Sequence, residues 1–357
     1  MRNKEQMSGN VYVGSIAVET PLFTVQQEEV GKILAHRYSD RLSSRSLTLM
    51  KGLFAHPAIR KRRFAVDDSE GFFSENPDDR IQRFTRWAVD LSAQAIRNAL
   101  VKAGLSFDDM AGLVVNTCTG YICPGISTYL IEKLGLDRHI RVYDLVGSGC
   151  GGAIPNLEVA ESLVRGASHK VIVSVSVEIC TATFQMEDDL SLLVSNALFS
   201  DGAAAAVLWG RPQGIELVAS SSYYVPEDRD AIRYIHKNGQ LYNQLSTRLP
   251  HLVKKAVAQV VKDVLEPRAL RVGEIKHWAL HTGGEKIINT VKAEIGLSEE
   301  QLRSTRAILA EYGNMSSPTV WFVLNDLLEK GIERGDFCVM VAFGAGLSAH
   351  AYLLRKS

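Results

Sequence analysis

Along the chain, short apolar runs bounded by turn residues alternate with longer stretches in which apolar positions recur every three or four residues. The run VYVGSIAVE from Val11 predicts a strand, and residues 84–103 predict an amphipathic helix with its charges on one face. Residues 113–116, 141–146, 171–177 and 203–209 predict further strands, and 126–134 and 154–165 predict helices. The irregular stretch CTGYICPG and the small-residue turn GSGCGG separate them. Helices over 252–265, 283–295 and 318–330 then alternate with strands over 277–280, 337–343 and 346–354. This alternation predicts an α/β fold. Each half closes on a small-residue apolar strand, DGAAAAVLWG or GLSAHAYLL, and each carries a glycine-rich turn that opens a helix. The RPQG stretch from Arg211 is the natural boundary, so two similar halves are expected over 1–210 and 211–357.

Composition narrows the function without giving one. At 357 residues and 46% hydrophobic, the chain can bury a large core and is far from a disordered composition. Its 40 basic and 40 acidic side chains cancel, which removes the electrostatic case for nucleic acid or a polybasic membrane anchor. The run Arg60 to Arg63 therefore reads as solvated surface or as a phosphate contact. Five cysteines, Cys118, Cys123, Cys150, Cys180 and Cys338, form neither a disulfide framework nor a metal-ligand spacing. The opening MRNKEQMSGN is polar, and no run approaches the roughly 18 apolar residues of a membrane span. A cytoplasmic protein with no metal, nucleic-acid or membrane partner is expected.

Three positions carry candidate chemistry. Cys150, in DLVGSGCGGAIP, follows a strand and is flanked by glycines where a helix begins. Such a turn leaves a sulfur accessible, and a helix N-terminus favours its thiolate, although a small core cysteine fits the same pattern. His281, in WALHTGG, ends an apolar strand and projects into a site or into the core. Asn314, in EYGNMSS, precedes a helix, where asparagine also serves as a cap.

Taken in order, GSGCGG, ALFSDGAA, HTGG, GNMSSPTVWFVLND and the terminal GAGL resemble the type III polyketide synthases, the chalcone-synthase-like family. The resemblance implies a thiolase-like five-layer α-β-α-β-α sandwich, internally duplicated and usually a homodimer, in which the loop holding Cys123 reaches toward the partner. It implies acyl-CoA and malonyl-CoA as substrates, no separate cofactor, and catalysis by Cys150, His281 and Asn314. Phe199 matches the family's gatekeeper beside that triad. Cys118, Thr119, Cys180, Thr183, Tyr242, Ser316 and Gly346 match cavity positions, with Cys180 and Cys118 suiting an apolar tunnel. Glu178 matches either a cyclisation residue or a buried structural carboxylate, and Lys51 and Arg60 match the CoA entrance. The microbial flavour of NTCTGYICPG and VEICTATFQ points to a medium- or long-chain acyl starter and an alkylpyrone or alkylresorcinol-type product. A ketoacyl-ACP synthase III-like condensing enzyme is the alternative, since it shares the fold and the Cys-His-Asn set.

Overall fold

The computed structural model describes residues 9–166 and 170–357; the polar opening at residues 1–8 lies outside them. The first half contains β1 (Tyr12–Glu19), β2 (Thr24–Gln26), α1 (Gln27–Arg37), α2 (Ser44–Phe54), β3 (Lys61–Arg63), α3 (Ser69–Phe72) and α4 (Pro77–Ala103). It continues with β4 (Met110–Asn116), α5 (Ile126–Leu134), β5 (Arg141–Leu145), α6 (Ala153–Arg165), β6 (Val171–Ile179), α7 (Leu190–Leu198) and β7 (Asp201–Trp209). Next come β8 (Ile215–Tyr224), β9 (Ile232–Lys237), β10 (Gln240–Leu245), α8 (Leu249–Leu265), β11 (His277–Leu280) and α9 (Glu285–Ile295). The chain closes with α10 (Arg303–Tyr312), α11 (Thr319–Lys330), β12 (Phe337–Gly344) and β13 (Ser348–Lys356).

Nine strands form one hydrogen-bonded sheet in the order β11-β12-β13-β8-β1-β7-β6-β4-β5. It is two sheets joined edge to edge, because β1 and β8 pair only at Tyr12 with Glu216 and Val13 with Ile215. On one side β7 lies antiparallel between β1 and β6, and β6 runs parallel to β4, as does β5. On the other, β13 lies antiparallel between β8 and β12, and β12 runs parallel to β11. Apart from β5, which has no counterpart in the second sheet, the same order and the same senses thus occur twice. Helices α6 and α11 share one apolar cluster with both sheets. The outer face of the first sheet is covered by α4 and α5, and that of the second by α8 and α9. The result is the duplicated α-β-α-β-α sandwich.

Burial on two faces explains the continuous apolar strands. In β7, Ala203, Ala205, Val207 and Trp209 join the outer cluster while Ala204, Ala206 and Leu208 join the middle one. Similarly, α11 is buried around its whole circumference from Thr319 to Asn325, as a central-layer helix must be.

The structure departs from the sequence reading at element edges. Helix α4 starts at Pro77, well before the apolar periodicity, because its first turns are charged and Asn76 sets the start by accepting from the Asp78 N–H at 2.9 Å. Helix α9 begins at Glu285, after Gly283 and Gly284, whose φ values of 53° and 104° are incompatible with a helix. The structure adds elements beyond those the apolar pattern predicts, among them α1, α2, α10 and the β9–β10 hairpin. Among the described residues no helix is long and apolar enough to cross a membrane, and no cluster of His, Cys, Asp and Glu could hold a metal.

Candidate active site

Cys150 sits on a single 3-10 turn, Gly149–Gly151, between β5 and α6. Gly149 has φ 55°, and a Cβ on it would lie 3.0 Å from the Ala345 nitrogen. Gly344, at the end of β12, is pressed against the same turn: a Cβ there would overlap Ser148 O and Gly151 N and lie 3.0 Å from Cys150 N. The Cys150 turn therefore needs glycine on both sides of the contact, one for its backbone angle and one for close approach. The thiol is buried, and the loss of hydration pushes it up to about 12, outweighing the lowering effect of a hydrogen bond from Ser316.

Ser316 donates from Oγ to Cys150 Sγ at 3.2 Å, and its backbone N–H donates to Asn314 Oδ1 at 2.7 Å. This places Asn314 two hydrogen bonds from the sulfur. Ser316 holds φ 59°, a left-handed value that costs a non-glycine residue on the order of 1 kcal/mol or more and is found where function fixes geometry. Asn314 is itself fastened to the other half of the chain. Its N–H donates to Leu198 O at 3.0 Å, its carbonyl accepts from Ser200 N–H at 2.9 Å, and it forms an isolated parallel bridge with Phe199. Phe199 and Asn314 are thus neighbours by backbone pairing and not by side-chain packing alone.

His281 directly follows β11, with its N–H donating to Val341 O at 2.8 Å. Its ring meets Phe343 edge-on, centroids 5.0 Å apart, one residue before the Gly344 that touches the Cys150 turn. Neither ring nitrogen has a hydrogen-bond partner among the described residues, although both are buried. Burial holds the imidazole down at about 3, so it is neutral at physiological pH. A buried, neutral imidazole with no partner among the described residues can both accept and donate a hydrogen bond.

The depressed value has a consequence for stability. Between pH 6.5 and about 3 the unfolded chain protonates this histidine while the folded chain does not, so stability is lost as pH falls. From pH 7 to pH 5 the wild-type protein is expected to lose about 2 kcal/mol more than a His281→Gln variant. Urea unfolding of both at the two pH values checks it; parallel pH dependences would show that His281 is not held neutral.

Behind the thiol lies a polar network centred on Glu178. Its Oε2 accepts from Thr117 Oγ1, Cys118 N–H, Thr119 N–H and Thr119 Oγ1 at 2.8–3.1 Å, and its Oε1 accepts from Ser317 Oγ at 2.6 Å. Burial raises its carboxyl against the lowering effect of these bonds. Asn116 Nδ2 also donates to Ser317 Oγ at 2.9 Å, and Asn156 Nδ2 donates to Asn116 Oδ1 at 2.9 Å. With every oxygen engaged internally, Glu178 ties loop 117–119 to the Ser316–Ser317 pair.

A cavity of about 620 Å³ opens beside Gly149, lined among others by Cys118, Thr119, Thr183, Tyr234, Ile81, Phe84, Ala182 and Leu241; Cys150 itself, His281, Asn314 and Phe199 are not in its lining. Cys118 Sγ lies 3.5 Å from Ser316 Oγ. Cys118, Thr119 and Thr183 line this cavity, whereas Ser316 does not and meets it only through its contact with Cys118. Cys180 does not line it either: it is sealed in a recess of about 20 Å³ with Phe72, Phe184 and Phe199, and the room lies on the side of Ala182 and Thr183. Tyr242 is likewise out of step. It pairs with Ile235, on the opposite face of the hairpin from the pair Tyr234–Asn243, and carries Lys237 over its ring at 4.9 Å. Tyr234 reaches Thr183 Oγ1 at 3.4 Å, and Asn243 stands in the recess with Phe199. Gly346 forms the β12–β13 turn with φ 115°, whereas Ala345 lines the cavity.

A second cavity of about 400 Å³ shares no lining residue with the first and lies between the α2–β3 loop and Gly283–Gly284. Lys51 and Arg60 do not line it: both are exposed, and Arg60 is paired with Glu311. The basic side chains in its wall are His56 and Lys286.

Residues 216–357 match the family described as chalcone and stilbene synthases, C-terminal domain, and residues 32–220 match the FAE1/type III polyketide synthase-like protein family. A 3,5-dihydroxyphenylacetyl-CoA synthase of Streptomyces toyocaensis is 31% identical over 86% of this chain and 82% of its own length. An alpha-pyrone synthesis polyketide synthase-like protein of Mycobacterium tuberculosis is 28% identical over 96% of this chain and 90% of its own. Among solved structures, PKS-I of the brown alga Ectocarpus siliculosus superposes with a TM-score of 0.89 at 26% identity, covering 99% of this chain and all of the other. The 1,3,6,8-tetrahydroxynaphthalene synthase of Streptomyces coelicolor gives 0.90 at 25% identity, covering 97% and 99%.

Proposed function

The chain belongs to the type III polyketide synthases, condensing acyltransferases that act iteratively with malonyl-CoA, and from that premise we propose that it extends a medium- or long-chain acyl-CoA starter to an alkylpyrone or alkylresorcinol-type product. Family membership sets aside the ketoacyl-ACP synthase III alternative. The observation that carries the finer reading is the cavity of about 620 Å³ beside Gly149, with Ile81, Phe84, Ala182 and Leu241 in its wall. It falls within the ordinary volume range of a small-molecule site, and burying each methylene there favours binding by about 0.8 kcal/mol.

In this reading His281 takes the Cys150 proton, and the thiolate attacks the starter thioester carbonyl. The carbon–sulfur bond to CoA breaks, and the CoA thiolate leaves with the proton from the imidazolium. Malonyl-CoA then loses carbon dioxide, and its enolate oxygen is held by His281 and the Asn314 amide. The carbanion attacks the acyl–Cys150 carbonyl, the Cys150 thiolate departs, and the chain is left two carbons longer on CoA. Phe199, bridged to Asn314, gives the malonyl carboxylate an apolar neighbour. The halves 1–210 and 211–357 contribute the nucleophile and the His–Asn pair respectively. CoA is assigned to the cavity between the α2–β3 loop and Gly283, with Lys51 and Arg60 on the surface of that side. The protein is taken to act as a homodimer through the region of residues 118–125, a state that light scattering reads directly.

Kinetics with acetyl-, hexanoyl-, lauroyl- and palmitoyl-CoA test the starter. kcat/KM should rise with length until the cavity is full, and Ala182→Phe should cut the long-chain values about tenfold or more while shifting the optimum to shorter chains. A wild-type preference for acetyl or aromatic starters, or an Ala182→Phe protein unchanged toward long chains, would make the reading wrong.

A further inference from the structure

The wall of the 620 Å³ cavity contains no carboxylate, yet it contains Arg80, Arg233 and His236. Arg233 and His236 are exposed, and Arg233 is paired with Asp230. Arg80 is different, for it is only 5% exposed. Its Nε donates to Ser74 O at 2.8 Å and its Nη1 to Gln240 Oε1 at 2.7 Å, both neutral acceptors. Its Nη2 has no hydrogen-bond partner among the described residues. Glu75, the carboxylate whose field reaches it, is ion-paired with Arg41, and Asp78 and Asp79 are exposed. Arg83, one turn along α4, adds repulsion; burial holds Arg80 down at about 10, so it stays charged at neutral pH.

A buried cation without a bonded counter-ion is costly unless something else supplies the charge. The surroundings hold this one in place. Gln240 donates from Nε2 to Glu75 O at 2.7 Å, and its Oε1 also accepts from Gln185, so its carbonyl is fixed toward Arg80. The cavity leads there along α4. Phe84 packs on Gly120, next to the Thr119 of the catalytic end, and Arg80 is one helical turn beyond it, about 6 Å along the axis.

We propose that Arg80, oriented by Gln240, is a carboxylate-binding subsite for the far end of the starter, so that the enzyme takes ω-carboxyacyl thioesters, diacids activated at one end, in preference to alkyl chains of equal length. This rests on reading the cavity as the starter site and sharpens the starter from an alkyl to a carboxyalkyl chain. The guanidinium fork matches a carboxylate in two parallel hydrogen bonds, whereas a terminal methyl leaves the charge uncompensated. The product would then be a ring bearing a carboxyalkyl tail.

The test compares acylation of Cys150, followed by intact mass, for pairs of CoA thioesters matched in length: adipyl with hexanoyl, suberyl with octanoyl, sebacyl with decanoyl. The wild-type protein should favour the diacid member by about 10- to 100-fold at the one length that spans the cavity, the value of one charge-assisted pair. Arg80→Met and Gln240→Leu should each lower that ratio, Arg80→Met to below one. Gln240→Leu serves if Arg80→Met does not fold. Independently of any acylation, millimolar free suberate should raise the Tm of the wild-type protein and not that of the Arg80 variant. Alkyl preference at every length, or equal ratios in wild type and variants, overturns the proposal. If no thioester acylates Cys150 but suberate still raises Tm through Arg80, the starter-loading reading fails and the subsite stands; no shift as well overturns both.

Discussion

Cys150→Ala is expected to abolish chain extension, with product falling by at least about four orders of magnitude, because in the proposed reading Cys150 is the covalent anchor for the starter. The burial that raises the thiol makes this residue depend on its surroundings for ionisation. In the proposed reading the proton goes to His281, which is neutral and has no partner among the described residues. The alanine variant should form no acyl adduct when incubated with starter and analysed by intact mass. Cys118 is the other thiol at the site, 3.5 Å from the same Ser316 hydroxyl, and burial together with the nearby Glu178 raises it well above its ordinary value. Peptide mapping therefore decides the assignment. An adduct on Cys118 in the wild-type protein, or full product from the alanine variant, would move the nucleophile away from Cys150. Decarboxylation of malonyl-CoA should persist in Cys150→Ala, since it needs the donors at His281 and Asn314 and no thioester on the enzyme.

The sequence yields most where local rules and burial agree. The doubly buried strands β6 and β7, the glycine-flanked turn at Cys150 and the histidine at the end of β11 are legible because their patterns exclude most alternatives. The cavity wall is less legible. Tyr234 and Asn243 are set by the register of a short hairpin that puts Tyr242 on its opposite face, and register cannot be read from so short a pattern. Cys180 and Ala182 belong to one 3-10 segment, and its path puts the smaller side chain against the open space. Arg80 sits in the charged first turns of α4, where composition alone predicts solvent, and only the fold shows it buried. Ser316 carries a signal that sequence cannot express: a positive φ at a non-glycine residue, held by a hydrogen bond on either side.

Asn314 is expected to be the second most sensitive position, and its geometry says which atom matters. Oδ1 accepts from the Ser316 N–H at 2.7 Å and from Thr319 Oγ1 at 3.5 Å, which assigns the oxygen side of the amide and leaves Nδ2 without a hydrogen-bond partner among the described residues. In the proposed reading a donor fixed in this way holds the malonyl enolate without having to reorganise as its charge develops. Removing one such donor costs about two to three orders of magnitude in rate. Alanine alone is an ambiguous probe, since it also strips the Ser316 N–H of its acceptor and loosens the hydroxyl that touches Cys150. Aspartate separates the two effects: it keeps an oxygen for the Ser316 N–H and replaces the donor with a second acceptor facing the enolate. Asn314→Asp should therefore lose at least as much malonyl-CoA decarboxylation as Asn314→Ala, while loading starter onto Cys150 at closer to the wild-type rate. Stopped assays of carbon dioxide release and intact-mass measurement of loading give the two rates separately. If aspartate restores decarboxylation, or if both variants lose loading and decarboxylation equally, Asn314 holds the Ser316 turn and donates nothing to the enolate.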